Sequence, residues 1–191
     1  MSWTIAAPEG RDRDGKICEQ FRQAIRAAYL KDILLFGTTS KGHVYPANSH
    51  SEIICIGGAD IHGSMIPESV ESNPRFTFPS SDLGSAFQED GQLPIAGSSI
   101  STALAAGLAA LILYCAEYTD PEEARPALRE GMVKAFNAMT AKPSQYVETR
   151  KFFDLQNFNN VYEGTPEGKG LIREAIAELI KVAKLLVAST I

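Results

Sequence analysis

The chain has 191 residues, 45% of them hydrophobic and 21% charged, with a net charge of −5 and an isoelectric point of about 5.3. That length supports a sizeable core, and the acidic balance argues against non-specific binding to nucleic acid or anionic lipid. Cys18, Cys55 and Cys115 lie far apart with no CxxC pair, which predicts free thiols in a reducing, cytoplasmic compartment rather than a zinc site or a disulfide framework.

The opening MSWTIAA reads as a strand entering a loop, and the charged run after it departs from a secretory signal. No flank of the kind that often precedes a first strand is visible, so the chain is expected to begin inside a domain. Residues 14–29 predict an amphipathic helix with Ile17, Phe21, Ile25 and Ala28 on one face. DILLFG (32–37) and EIICIGGAD (52–60) are short apolar runs closed by turn residues. Both read as strands buried on two faces, as in a parallel sheet covered by helices. The polar segment between them is a loop. Residues 61–96 are rich in Ser, Pro and Gly and poor in helix signal, with RFTF a short strand ended by Pro79.

An uncharged helix follows over about 99–116. TDPEEARPALRE then carries helix-start chemistry, with Asp120 as N-cap and Pro121 in the first turn. The last stretch is a long amphipathic helix with Leu171, Ile172, Ala175, Leu179, Val182, Leu185 and Leu186 apolar. The alternation of strands and helices predicts an α/β fold, a mostly parallel sheet with helices on both faces.

AGSSISTALAAGLAALIL, Ala96 to Leu113, admits three readings. It lies in a stretch long enough to span a membrane, but it is dominated by Ala, Gly, Ser and Thr and has no basic anchor close by. Ile100, Leu104, Leu108 and Leu111 form a large stripe, and Ser99, Ala103, Gly107 and Ala110 a small one. That pattern predicts a buried core helix whose small stripe admits another backbone. The front, GSSIST, offers the third reading. Unpaired N–H groups at a helix start stabilise a developing oxyanion, and a serine there is placed as a nucleophile. Ordinary capping explains the same serines.

Gly97-Ser98-Ser99-Ile100-Ser101-Thr102-Ala103-Leu104-Ala105-Ala106-Gly107 resembles the nucleophile motif of the subtilisin-like serine proteases (subtilases, peptidase S8 type), Gly-Thr-Ser-Met-Ala-x-Pro-x-x-Ala-Gly. Gly97, Ser99, Ala106 and Gly107 match; Ala103 replaces the proline. In order before it, MSW resembles the family's Asn-Met-Ser strand and DILLFG the strand leading to its Ala-Gly-Asn turn. Tyr45-Pro46-Ala47, IICIGGAD and FPSSDL are similar to further segments of the same family. The resemblance covers about 1–115.

It implies a subtilisin-like fold, here only its C-terminal half, with Ser99 as nucleophile. The triad order Asp, His, Ser would then place Asp and His upstream of these residues. The family's oxyanion-hole asparagine falls at Ser40, with Thr39 in the alternative register. A hydroxyl there has a shorter reach, and losing one such donor typically lowers the rate about 10²–10³-fold. Subtilase-like modules of filamentous fungi vary here too, often inside multidomain proteins, which implies a parent protein of that kind.

IHGS (61–64) mimics the family's His-Gly-Thr, but it directly follows a strand. His62 and Asp60 therefore read as local polarity, and His43 and His50 as solvated loop residues. The resemblance divides the chain at about residue 118, with 119–191 a helical extension. It implies a serine endopeptidase acting on a peptide or protein substrate, inactive without the N-terminal half of its domain. No cofactor, metal, nucleic acid or membrane partner is implied. The alternative is a degenerate, non-catalytic interaction module. The isolated half would expose apolar surface and a sheet edge, which predicts poor solubility.

Overall fold

Helix α1 (Lys16–Tyr29) forms where the amphipathic pattern predicts it and buries Ile25 and, in part, Phe21. It ends in a Schellman motif: the Asp32 N–H donates to the Tyr29 carbonyl and the Ile33 N–H to the Ala28 carbonyl, both at 3.0 Å. Asp32 occupies the left-handed position there, at φ 55°, where glycine is usual. The first strand, β1 (Leu35–Thr38), therefore starts three residues later than the apolar run suggests.

The computed structural model describes residues 16–39, 46–47, 50–60, 62–80, 97–119, 128–140, 145–149 and 176–184. The strand expected at the first residues and the helix start at Asp120 lie outside them. β1, β2 (Ile53–Ala59) and β3 (Phe76–Pro79) form a parallel sheet in the order β1-β2-β3. Leu35 pairs with Ile53, and Ile56 with Phe76.

The sheet is covered on both sides, as its unbroken apolar runs require. Ile53, Leu35 and Cys55 pack with Ile25 and Ala47, while Ile54 and Ile56, which point the other way, are 0% exposed. Phe76 and Phe78 are also buried, each stabilising the fold by about 1.5–3 kcal/mol. Pro79 does not precede the strand's end but forms it, paired with Ala59, a position where no ladder N–H is needed. Between β2 and β3 sits α2 (Pro67–Val70), a single turn that the sequence pattern missed. Pro67 at its start presets φ, and Ser69 is buried beneath it. Gln145 and Tyr146 run beside β3, where the Thr77 N–H donates to the Gln145 carbonyl at 2.9 Å.

Two further helices complete the described residues in order, α3 (Ser98–Thr119) and α4 (Leu128–Ala138); residues 176–184 are also helical. The chain divides into two compact units, Met1–Gly107 with Ser144–Tyr146, and Leu108–Pro143 with Val147–Ile191. The first holds the sheet and the head of α3. The second buries Leu108 and Ile112 of α3, Met132 and Phe136 of α4, and Leu179 and Ala183.

Candidate active site

The carboxyl ends of the parallel strands converge on the head of α3, the place where α/β sheets usually carry their sites. Ser80, just past β3, donates its N–H (2.8 Å) and its hydroxyl (3.0 Å) to the Ala59 carbonyl at the end of β2. The Gly97 N–H donates to the Ser80 carbonyl at 3.0 Å. Gly97 itself sits at φ 151°, a region that favours glycine, and turns the chain into α3.

The hydroxyls at this helix start have different fates. Ser98 is buried; its Oγ accepts from Thr38 Oγ1 at 2.7 Å and donates to the Thr39 carbonyl. Ser101 is 0% exposed, and its Oγ lies 3.0 Å and 2.9 Å from the carbonyl oxygens of Phe78 and Pro79. Thr102 donates to the Ser98 carbonyl one turn back, at 2.8 Å. Ser99 alone of these is exposed, and among the described residues its hydroxyl has no hydrogen-bond partner. The residue at the cap position is Gly97, whose carbonyl accepts the Ile100 N–H at 3.0 Å, and among the described residues no side chain accepts from the first-turn N–H groups. Those groups carry the positive end of the helix dipole.

Thr39 is 0% exposed, with its Oγ1 3.2 Å from Ser69 Oγ, and Ser69 Oγ accepts the Gly58 N–H at 2.7 Å. Its side chain faces the interior, so the alternative register offers no oxyanion donor. Ser40 lies outside the described residues, as does His43. His62 is exposed on a turn in which Asp60 Oδ1 accepts the N–H groups of His62 (2.8 Å) and Ser64 (2.9 Å). The Ser64 N–H, more than any other neighbour, holds the Asp60 carboxyl below the usual carboxylate range. Asp60 is thus a turn-forming acceptor, as its position after the strand predicts. His50 is half-buried beside β2. Among the described residues no three metal-ligating side chains come together.

Sequence reasoning missed Thr38, Ser69 and Ser80, whose hydroxyls knit the strand ends together. Thr38 and Ser80 gave the signal of polar residues directly after apolar runs, whereas Ser69, inside the single turn α2, gave none. It also predicted that α3 is buried all round and that Gly107 admits a second backbone. The structure corrects both. Ser99, Ala103, Ala106, Gly107, Ala110 and Tyr114 form an exposed face, and a Cβ at Gly107 would meet nothing within 4 Å. Over Ser98–Glu117 the helix has a mean hydropathy of 1.9 and is long enough to cross a membrane, with 39% of it buried in the protein.

No protein-family model and no curated protein sequence matches the chain. Solved structures do. The chain is similar to the prenylagaramide maturation protease PagA, with a TM-score of 0.52 and 20% identity over 73% of this chain. It is similar to the self-cleaved protease domain of PatA, with a TM-score of 0.51 and 16% identity over 73% of the chain. A serine-to-alanine mutant of the protease domain of PatA aligns with a TM-score of 0.54 and 16% identity over 82%. The fold is subtilisin-like. The chain spans about half the length of these structures, covering 49%, 51% and 57% of them.

Proposed function

We propose that this chain is the nucleophile-bearing half of a subtilisin-like serine endopeptidase domain, with residues 119–191 a helical extension of it. Ser99 carries the reading: among the described residues it is an exposed hydroxyl without a hydrogen-bond partner, at a helix head whose N–H groups no described side chain caps. Ser99 Oγ attacks the carbonyl carbon of a peptide or protein substrate, and its proton passes to a histidine base oriented by an aspartate. The oxyanion is met by the first-turn N–H groups, the hydroxyl of Ser40 supplying a weak second donor. Collapse to the acyl-enzyme expels the amine, which takes the proton back from the histidine, and water releases the acid. Histidine and aspartate belong to the complementary half of the domain, in keeping with the share of the similar structures that this chain spans. A multidomain parent and a cytoplasmic setting fit the varied oxyanion position and the free thiols Cys55 and Cys115.

The exposed face of α3 supports the same picture, since an uncharged helix surface in water is a surface awaiting cover. It also supports a second reading, a degenerate interaction module in which that face binds a partner and Ser99 is idle. A fluorophosphonate probe separates the two. Labelling of the longest natural form of the protein, abolished by Ser99→Ala, is the expected result. A folded full-length protein that resists the probe refutes the protease.

A further inference from the structure

Ser98 stands one residue before the proposed nucleophile, and its hydroxyl does not face the space in front of the helix. It is held between two groups at the end of β1: Thr38 Oγ1, which donates to it at 2.7 Å, and the carbonyl of Thr39, the residue just past the strand, to which it donates. Thr39 is itself fixed by its N–H on the Ile56 carbonyl (2.9 Å) and by Ser69 (3.2 Å). The first turn of α3 is thereby tied to the end of β1, the strand that leads directly into Ser40.

We infer that Ser98 is a positioning residue, locking the head of α3, and with it Ser99, to the end of β1. The inference rests on Ser99 being the nucleophile. A serine at a helix start ordinarily accepts an N–H of its own helix. Ser98 instead spends both donor and acceptor on the end of β1, so its removal frees the helix head relative to the strand without uncapping the helix. The similar family motif carries threonine at this position, which keeps the hydroxyl.

The test uses the longest natural form of the protein as wild type, Ser98→Ala, Ser98→Thr and Thr38→Val. The rate of fluorophosphonate labelling at Ser99 is measured per folded molecule, together with amide hydrogen exchange of peptides covering residues 35–39 and 97–102. Ser98→Ala is expected to slow labelling about 10- to 100-fold, the scale on which small misplacements act. It should also speed exchange in both peptides. Ser98→Thr should restore both, and Thr38→Val should show a smaller loss. Labelling of Ser98→Ala at the wild-type rate overturns the role, as does exchange unchanged at the two ends. Equal losses in Ser98→Ala and Ser98→Thr overturn it too, because they would report volume rather than the hydroxyl. A wild type that does not label overturns the nucleophile reading and this role with it, whereas labelling indifferent to Ser98 overturns this role alone.

Discussion

Gly107 gives a test whose sign depends on whether the exposed face of α3 is open. Glycine inside a helix costs about 1 kcal/mol relative to alanine, through the backbone freedom it gives up on folding. A Cβ at Gly107 meets nothing within 4 Å, so in the 191-residue chain Gly107→Ala brings the propensity gain with no steric penalty. The expected effect is about 1 kcal/mol of added helix stability, or roughly fivefold in the opening equilibrium of α3. Amide hydrogen exchange of peptides covering residues 103–113 reads this directly, and the alanine variant should exchange about fivefold more slowly there. In a completed domain the sign reverses for larger side chains. On the proposed reading, in which the complementary half covers this face, Gly107→Leu should leave the 191-residue chain folded yet lower labelling of Ser99 in the longest natural form. Faster exchange in Gly107→Ala of the short chain would refute the reasoning, because it would mean the face is already closed.

Ser99→Ala should change the stability of the chain by less than about 0.5 kcal/mol, as expected for an exposed side chain without partners among the described residues, measured by urea unfolding. Ser101→Ala should cost about 1–3 kcal/mol, because it strips the buried donor from the Phe78 and Pro79 carbonyls; at this length that is a fall in melting temperature of about 2–4 °C per kcal/mol. Burial pushes the Cys55 thiol from its ordinary value of 9.0 up to about 11. The unfolded thiol then ionises first, so stability should fall as pH rises from about 9 to 11, and Cys55→Val should flatten that slope in urea midpoints taken across the range. Alkaline carbonate should release the 191-residue chain from membranes, since the bonds from Ser98 and Ser101 seat the head of α3 on the strand ends; retention in the pellet would refute this.

What the sequence revealed, and what it hid, follows the range of the interactions. Helix α1 and strands β1 to β3 were legible because each is set by a local apolar pattern, and the nucleophile-like motif around Ser99 could be singled out because it is contiguous. The start of β1 was misread because Asp32 takes a left-handed turn usually given to glycine. The single turn α2 was missed because four residues carry no period. The partners of the helix-head hydroxyls were invisible for a different reason: Ser98 and Thr38 are 60 residues apart, and no spacing rule joins them. The exposed face of α3 was misread because an all-apolar helix is ordinarily a buried one, and the expectation of cover held no information about which part of the polypeptide supplies it.

The allocation of the hydroxyls is the strongest argument for chemistry at this helix head. A side-chain cap typically contributes about 0.5–2 kcal/mol, and serine is among the best residues for it. The cap position here is held by Gly97, which has no side chain and whose carbonyl accepts the Ile100 N–H at 3.0 Å; Ser98 and Ser101 bond the strand ends, Thr102 bonds backward along its own helix, and Ser99 bonds no described residue. On the proposed reading, an exposed serine at a helix start with no side-chain cap among the described residues, set at the ends of three parallel strands, serves a binding site for a negatively charged oxygen. That arrangement supports the proposed protease reading over a helix that survives for packing alone.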